Sequence, residues 1–129
     1  MSWVGKIAAW IGAVALFLGA GFHFTAQDFV RLEAAKLQDP FMKAALEPVW
    51  LMSSVHWIAF GLLSVAVTIK PSHHTRIVLL VIAAALITDA VLISNNLGAF
   101  AGAIILAFAG LCMLIAAVTV DLTTSQKMA

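Results

Sequence analysis

Four long apolar runs constrain this chain more than any other feature. They cover about residues 4–24, 49–69, 77–94 and 99–120. Each run is close to the roughly 20 residues that an α-helix needs to cross the hydrocarbon core of a bilayer. Because backbone N–H and C=O groups find no water there, each run must satisfy its own hydrogen bonds as a helix. The sequence therefore predicts an all-α fold, an integral membrane four-helix bundle in a single domain over residues 1–129.

The composition agrees with a bilayer as the solvent of the chain. Hydrophobic residues make up 64% of the 129 residues and charged residues 10%, whereas a soluble domain has about 45–50% and about 25%. The formal net charge is +1 and the basic residues are scattered, so no nucleic acid is expected as a partner. The single cysteine, Cys112, lies in an apolar run and is predicted to be a small buried residue.

The first run could be mistaken for a signal peptide, because Lys6 precedes an apolar stretch. It is longer than the about 7–15 residues of a signal-peptide core. Trp3 and Trp10 flank and interrupt it, which suits an anchored span. We expect this run to be retained as the first membrane helix.

The first connection is predicted to lie outside the membrane and to form a short amphipathic helix. Thr25, followed by Asp28 three residues on, has the pattern of an N-terminal cap. Apolar residues of the segment 25–47 should lie on the membrane surface or cap the bundle; they are Phe29, Leu32, Leu37, Phe41, Met42 and Leu46.

Two proline pairs punctuate this connection. Asp39-Pro40 and Glu47-Pro48 each predict an N-cap followed by proline at the first helical position. We therefore expect a break at Pro40, a turn or two of helix, and a fresh helix start at Pro48.

The other two connections are short. The basic loop 70–76 should stop the second span at Pro71. Residues 94–98 are predicted to form a tight turn, because Asn95 and Asn96 tolerate the left-handed conformation. The third and fourth spans would then be an antiparallel hairpin.

Glycines within the spans are predicted to serve helix packing. Gly12 and Gly19 share one face of the first span, and Gly98 and Gly102 form one GxxxG pair. Small residues let helices approach closely in lipid. The same faces could also support a homo-oligomer.

The distribution of Lys and Arg gives an expected orientation. Lys6, Lys70, Arg76 and Lys127 lie on the side of both termini, against Arg31, Lys36 and Lys43 on the other. The four runs make the chain an expected multi-pass protein of the cell (inner) membrane, and the positive-inside rule gives its orientation. Both termini would then be cytoplasmic and the segment 25–47 external.

A few polar residues lie deep within the runs, and helix geometry places them in one leaflet. His56 lies about 12 Å inside the second run and Asp89 about 9 Å inside the third, measured from the same side. Ionisable groups at such depth face the bundle interior or water. We therefore predict a polar, ligand-binding pocket in the outer leaflet. Its candidate residues are His56, Asp89, His23, Trp57, Phe60, Ser53 and Asn96.

Each candidate also has a structural interpretation. Asp89 needs a partner, and His56 is the best one for a buried hydrogen bond or ion pair. His23 could be an interfacial histidine and Trp57 a core residue. Asn96 could be a turn residue.

Three functions remain open. The first expectation is an accessory or assembly subunit of a larger membrane complex. The second is a module that binds a small lipophilic ligand or cofactor between its helices, with proton transfer at Asp89 or His56 as an option. The third is a transporter subunit that works as a homo-oligomer. The expected partners are accordingly the lipid bilayer, other membrane subunits or further copies, and a small lipophilic molecule.

The chemistry is less constrained than the fold. A haem held by His23 and His56, or a metal held by these two and Asp89, is a special case of the second function, and the cofactor stays unknown. The chain has no HExxH, GxSxG, GxxxxGK[ST] or CxxC motif, so an enzyme is not the first expectation.

Overall fold

Five α-helices make up the part of the protein that the computed structural model describes, residues 1–98 and 100–120. Ala99, the predicted start of the fourth span, and Lys127 lie outside it. The helices are α1 (Trp3–Thr25), α2 (Gln27–Lys36), α3 (Pro40–Ile69), α4 (Thr75–Leu97) and α5 (Ala101–Val118). The all-α class is confirmed.

Four of these helices, α1, α3, α4 and α5, are long and apolar enough to cross a membrane. This is the property of a multi-pass membrane protein. Each of the four predicted apolar runs forms one of these helices, with boundaries that shift by a few residues at most ends.

α1 and α5 form the centre of the bundle. α1 packs along both α3 and α5, and α4 packs along α5, whereas α3 and α4 meet over only a short stretch. A larger share of α1 and α5 than of α3 and α4 is buried. The order across the bundle is therefore α3, α1, α5, α4, and the seam between α3 and α4 is the least closed.

Two glycines show why neighbouring helices of the bundle approach so closely. A Cβ atom on Gly12 would lie 2.8 Å from the Met113 side chain and 3.3 Å from the Ala109 carbonyl oxygen of α5. A Cβ on Gly110 of α5 would lie 2.8 Å from Ile87 of α4. Small residues thus serve bundle packing, as predicted for Gly12.

The start of α2 differs from the prediction. α1 continues through Thr25, whose hydroxyl donates to the carbonyl oxygen of Phe22 at 2.7 Å. Ala26 is the N-cap of α2 and contributes no side-chain hydrogen bond. Thr25 was therefore wrongly predicted as a cap, because its own hydroxyl is used within α1. Asp28 still lies in the first turn of α2, where a carboxylate suits the helix dipole.

α3 begins at the first proline pair and not at the second. The Asp39 carboxylate accepts from the backbone N–H of Met42 at 2.9 Å, with Pro40 next to it in the first turn, as predicted. The predicted fresh start at Pro48 is wrong, since Pro48 lies inside α3. Proline removes a helix hydrogen bond and crowds the preceding turn, so other contacts must hold this part of α3.

Those contacts come from α2. The Glu47 carboxylate accepts from Gln27 Nε2 at 2.9 Å and from an Arg31 guanidinium nitrogen at 2.7 Å. A 30-residue helix is about 45 Å long, whereas the hydrocarbon core is about 30 Å thick. α3 is therefore longer than one span requires, and its first turns pack against α2.

The hairpin of α4 and α5 turns later than predicted. Asn95 and Asn96 lie inside α4 and are not turn residues. Gly98, with φ of 80°, ends the helix, so the left-handed conformation falls to glycine. α4 and α5 still pack along each other, as expected of an antiparallel hairpin. At the other end of the bundle α3 stops at Ile69, before Pro71, as predicted.

Candidate functional site

The open seam between α3 and α4 contains a partly open cleft of about 350 Å³; we refer to it as the α3–α4 cleft. α1 and α5 contribute its floor, and α3 and α4 its two walls. Five of the seven predicted site residues line it. The described lining is His23, Ser53, His56, Trp57, Asp89, Leu92, Ile93 and Leu106.

A second and more apolar space, of about 180 Å³, adjoins the cleft. We call it the apolar chamber. It shares His23, Ser53, Trp57 and Ile93 with the cleft. Its other lining residues lie towards α2 and the α4–α5 turn; they are Leu46, Val49, Trp50, Leu97, Phe100 and Gly102.

His23 lies where the two spaces meet. It is only 6% exposed, and its ring stacks on Trp50 with 4.0 Å between ring centroids and 6° between planes. On another side the ring contacts Trp57 at 4.3 Å, tilted by 48°. Among the described residues no group bonds to the buried Nδ1 atom. The structure therefore places His23 in the bundle interior, as the pocket hypothesis predicts.

The sequence of α1 explains how an indole can pack beside His23. Gly19 lies one helical turn before it, and a Cβ there would be only 2.9 Å from the Trp57 ring. The absent side chain gives Trp57 room to lie against α1. Trp50, about two turns before Trp57 on the same face of α3, donates its indole N–H to the His23 carbonyl oxygen at 2.9 Å.

His56 and Asp89 lie on opposite walls of the cleft, one on α3 and one on α4. Asp89 is half-buried and His56 is exposed towards the cleft and its mouth. Within residues 1–98 and 100–120, neither side chain makes a hydrogen bond or an ion pair. The expected direct pair between Asp89 and His56 is not formed. Both side chains therefore remain available to bond a third group, such as a ligand.

Two predicted candidates do not line either space. Phe60 is half-buried and packs against the core. Asn96 donates its side-chain amide to the carbonyl oxygen of Leu92 on its own helix at 2.7 Å. Neither side chain is among those that the structure brings together at the cleft.

The interior face of α3 lies one residue further along the chain than the predicted site residues Ser53, His56 and Phe60. Its buried residues are Ser54, Trp57, Gly61, Ser64 and Thr68. These are mostly small, which lets α3 approach α1. Ser53 and His56 consequently lie at the edge of the helix contact, where the cleft opens.

Trp50 was not among the residues predicted for the site. A signal was present, because Trp50 and Trp57 are seven residues apart and so share a helix face. Ile93 follows Asp89 by four residues and so lies on the same face of α4. Phe100 and Leu46 come from segments whose approach to the chamber depends on tertiary packing.

The charge of the site is simple. Asp89 is the only acidic residue, and no Lys or Arg occurs, among the described lining residues of the two spaces. The nearby charged cluster of α2 and α3 is internally paired: Arg31 bonds both Glu47 and Asp28. Hydrogen bonding to Glu47 raises the pKa of Arg31.

In the described ranges no group of three or more His, Cys, Asp and Glu residues is arranged to hold a metal ion. The hypothetical metal site of His23, His56 and Asp89 is therefore not formed. The two imidazoles of the cleft remain the candidate ligands of the haem hypothesis, which stays a prediction.

Together these features define the class of protein: a multi-pass membrane bundle of four long helices with a partly open polar cleft at one seam. Searches against protein families, curated proteins and solved structures find no match to the chain.

Proposed function

We propose that the protein is a membrane-embedded binding module that takes a small lipophilic molecule into the α3–α4 cleft. One observation carries this proposal: Asp89 and His56 line opposite walls of the cleft, and neither has a partner in the described part of the chain. A polar group in apolar surroundings is costly unless it is hydrogen-bonded. A bound molecule between the two side chains would satisfy both.

The size and the lining of the cleft support this function. Its volume of about 350 Å³ is within the roughly 300–1,000 Å³ of small-molecule pockets, which are mainly apolar with a few convergent polar groups. The adjoining chamber would receive the apolar part of the ligand against Trp50, Val49 and Leu97. Because α3 and α4 meet over a short stretch only, a molecule dissolved in the bilayer can enter from the side.

A ligand in this position would lie between two titratable groups. Asp89 and His56 are both able to exchange a proton with a bound molecule. Proton transfer is thus compatible with the binding role, whereas a dedicated enzyme is not proposed.

The accessory-subunit role is the second candidate, and the same seam favours it. A helix of a partner subunit, or of a second copy, could lie against α3 and α4 and bond Asp89 and His56. Such interhelical hydrogen bonds contribute about 0.6–2 kcal/mol each. A transporter has less support, because Ser64 and Thr68 in the other half of the bundle bond to carbonyl oxygens of their own helix.

The proposed orientation has both termini in the cytoplasm and the segment 25–47 outside. It is supported by the small excess of Lys and Arg on the side of the termini. Single-cysteine variants in a Cys112→Ala background test it with a membrane-impermeant maleimide. Lys43→Cys should be labelled in intact cells, and Ser72→Cys only after lysis; the reverse pattern would invert the orientation.

Native mass spectrometry in a mild detergent tests the binding function. The wild type should retain an extra mass that Asp89→Asn and His56→Ala lose. Asn95→Ala is the matched control, because Asn95 is exposed on the same helix and outside both linings. A clean protein mass in every variant contradicts the proposal. An extra mass that corresponds to a protein subunit favours the accessory role.

A further inference from the structure

The lone carboxylate of the cleft has no counter-ion among the described lining residues. The side chains that line the two spaces together with Asp89 include two imidazoles, a hydroxyl and apolar groups, and no Lys or Arg. An ionised carboxylate at membrane depth is costly without a compensating charge. A neutral ligand would leave that charge uncompensated, whereas a cationic ligand would neutralise it.

The uncharged polar groups near Asp89 can act as hydrogen-bond acceptors. The Ser53 hydroxyl donates its hydrogen to the Val49 carbonyl oxygen at 3.3 Å, so its lone pairs remain for a donor. A neutral imidazole at His56 offers one acceptor nitrogen. A protonated amine, whose N–H groups only donate, matches this set of acceptors, whereas a quaternary ammonium group has no N–H and would be held by the carboxylate and the indoles alone.

Two indoles add a surface that attracts cations. Trp57 lines both spaces, and Trp50 lines the apolar chamber with its ring held in place by His23. The face of an indole attracts a cation, and aromatic sites are a common means of recognising quaternary ammonium groups. The same rings also offer contact area to the apolar part of such a molecule.

From this combination we infer that the ligand of the α3–α4 cleft is a lipophilic cation, an amine or quaternary ammonium compound. Its charged nitrogen lies at Asp89 and its apolar part extends past Trp57 into the apolar chamber. The inference rests on the proposed function, since it names the class of ligand for the same cleft.

The test uses two probes of nearly the same shape. Phenyltrimethylammonium and tert-butylbenzene differ in that a positively charged nitrogen replaces a carbon. The full chain is placed in phosphatidylcholine nanodiscs, and binding is followed by tryptophan fluorescence. For each probe the affinity of the wild type is divided by that of Asp89→Asn, which cancels partitioning of the probe into lipid.

The expected ratio is about tenfold or more for the cation, which corresponds to one lost charge interaction, and close to one for the neutral probe. Asp89→Glu should keep most of the preference for the cation, and Asn95→Ala all of it. These two variants separate the loss of charge from a general effect on folding, which size-exclusion profiles monitor in parallel.

The alternative results have distinct meanings. Equal ratios for both probes overturn the cation inference and leave the binding function standing. Failure of both probes to bind the wild type overturns the cation inference as well. If native mass spectrometry also shows no retained small molecule, the proposed function falls with it.

Discussion

The imidazole of His23 and the indole of Trp50 are joined twice: their rings stack with 4.0 Å between centroids, and the indole N–H donates to the His23 carbonyl oxygen at 2.9 Å. The carbonyl lies in the last turn of α1, where it also accepts from the backbone N–H of Ala26 at 3.2 Å. This double contact ties the end of α1 to α3 at the place where the cleft and the apolar chamber meet.

Replacing Trp50 by phenylalanine should remove the N–H donor and keep much of the ring contact. We expect a loss of about 1 kcal/mol in the free energy of unfolding, the usual contribution of one hydrogen bond. Trp50→Ala should cost about 3 kcal/mol, because it also removes the ring. Unfolding in mild detergent measures both. Trp3→Phe is the control, since Trp3 is 76% exposed; an equal loss there would contradict the role given to Trp50.

Gly19 is expected to be sensitive to a single added methyl group. A Cβ at this position would lie 2.9 Å from the Trp57 ring and 3.2 Å from Ile105. Gly19→Ala should therefore push Trp57 towards the cleft and destabilise the bundle by about 1–3 kcal/mol, as overpacking does. Thermal unfolding and the tryptophan emission spectrum report the two effects.

The same helix provides the control for this substitution. A Cβ on Gly21 would have no heavy atom within 4 Å. Gly21→Ala should leave unfolding unchanged or raise its midpoint slightly, because alanine favours helix. Similar losses for both variants would show that α1 needs flexible backbone and not space for Trp57.

The number of long helices and the depth of the site along them can be predicted from short-range sequence properties. The face that each helix turns towards its neighbours cannot. Run length determines the number of spans, and depth along each run places His56 and Asp89 at nearly one level, with His23 at the same end of the bundle. The rotation of α3 depends on the sizes of the residues that touch α1. In lipid, close approach of small residues such as Ser54 and Gly61 outweighs polarity in choosing a packing face. The spacing of the polar residues on α3 therefore predicted the face next to the one that packs against α1.

The wrong helix start at Pro48 has a comparable cause. Glu47 is held by Gln27 and Arg31, 20 and 16 residues earlier in the chain. These partners meet only when α2 folds back on α3, so local capping rules cannot include them.

This connection leads to a prediction about α2. Glu47→Gln should remove the ion pair with Arg31 and loosen α2 from α3. Amide hydrogen exchange over α2 should rise several-fold, while the exchange of α1 residues up to Gly19 stays the same. Glu33→Gln is the matched control, because Glu33 pairs with Lys36 within α2 itself. Equal increases in the two variants would mean that α2 is not held by Glu47.

A substitution that fills the site without touching its polar groups separates the two proposed functions. Ile93 is half-buried on α4 and lines both the cleft and the apolar chamber. Ile93→Trp should occupy much of the space that a ligand needs, while Asp89 and His56 stay in place. We expect the retained mass to disappear in native mass spectrometry. Membrane insertion should remain normal, because tryptophan is tolerated in spans near the interface.

Val91→Trp is its control on the same helix, since Val91 is 52% exposed and lines neither space. It should keep the retained mass of the wild type, so that loss in Ile93→Trp alone points to the space between α3 and α4. Retention of the small molecule by Ile93→Trp would place the ligand elsewhere. If instead a subunit mass is lost from Ile93→Trp alone, the seam is where a partner helix docks, and the polar pair on its walls serves assembly.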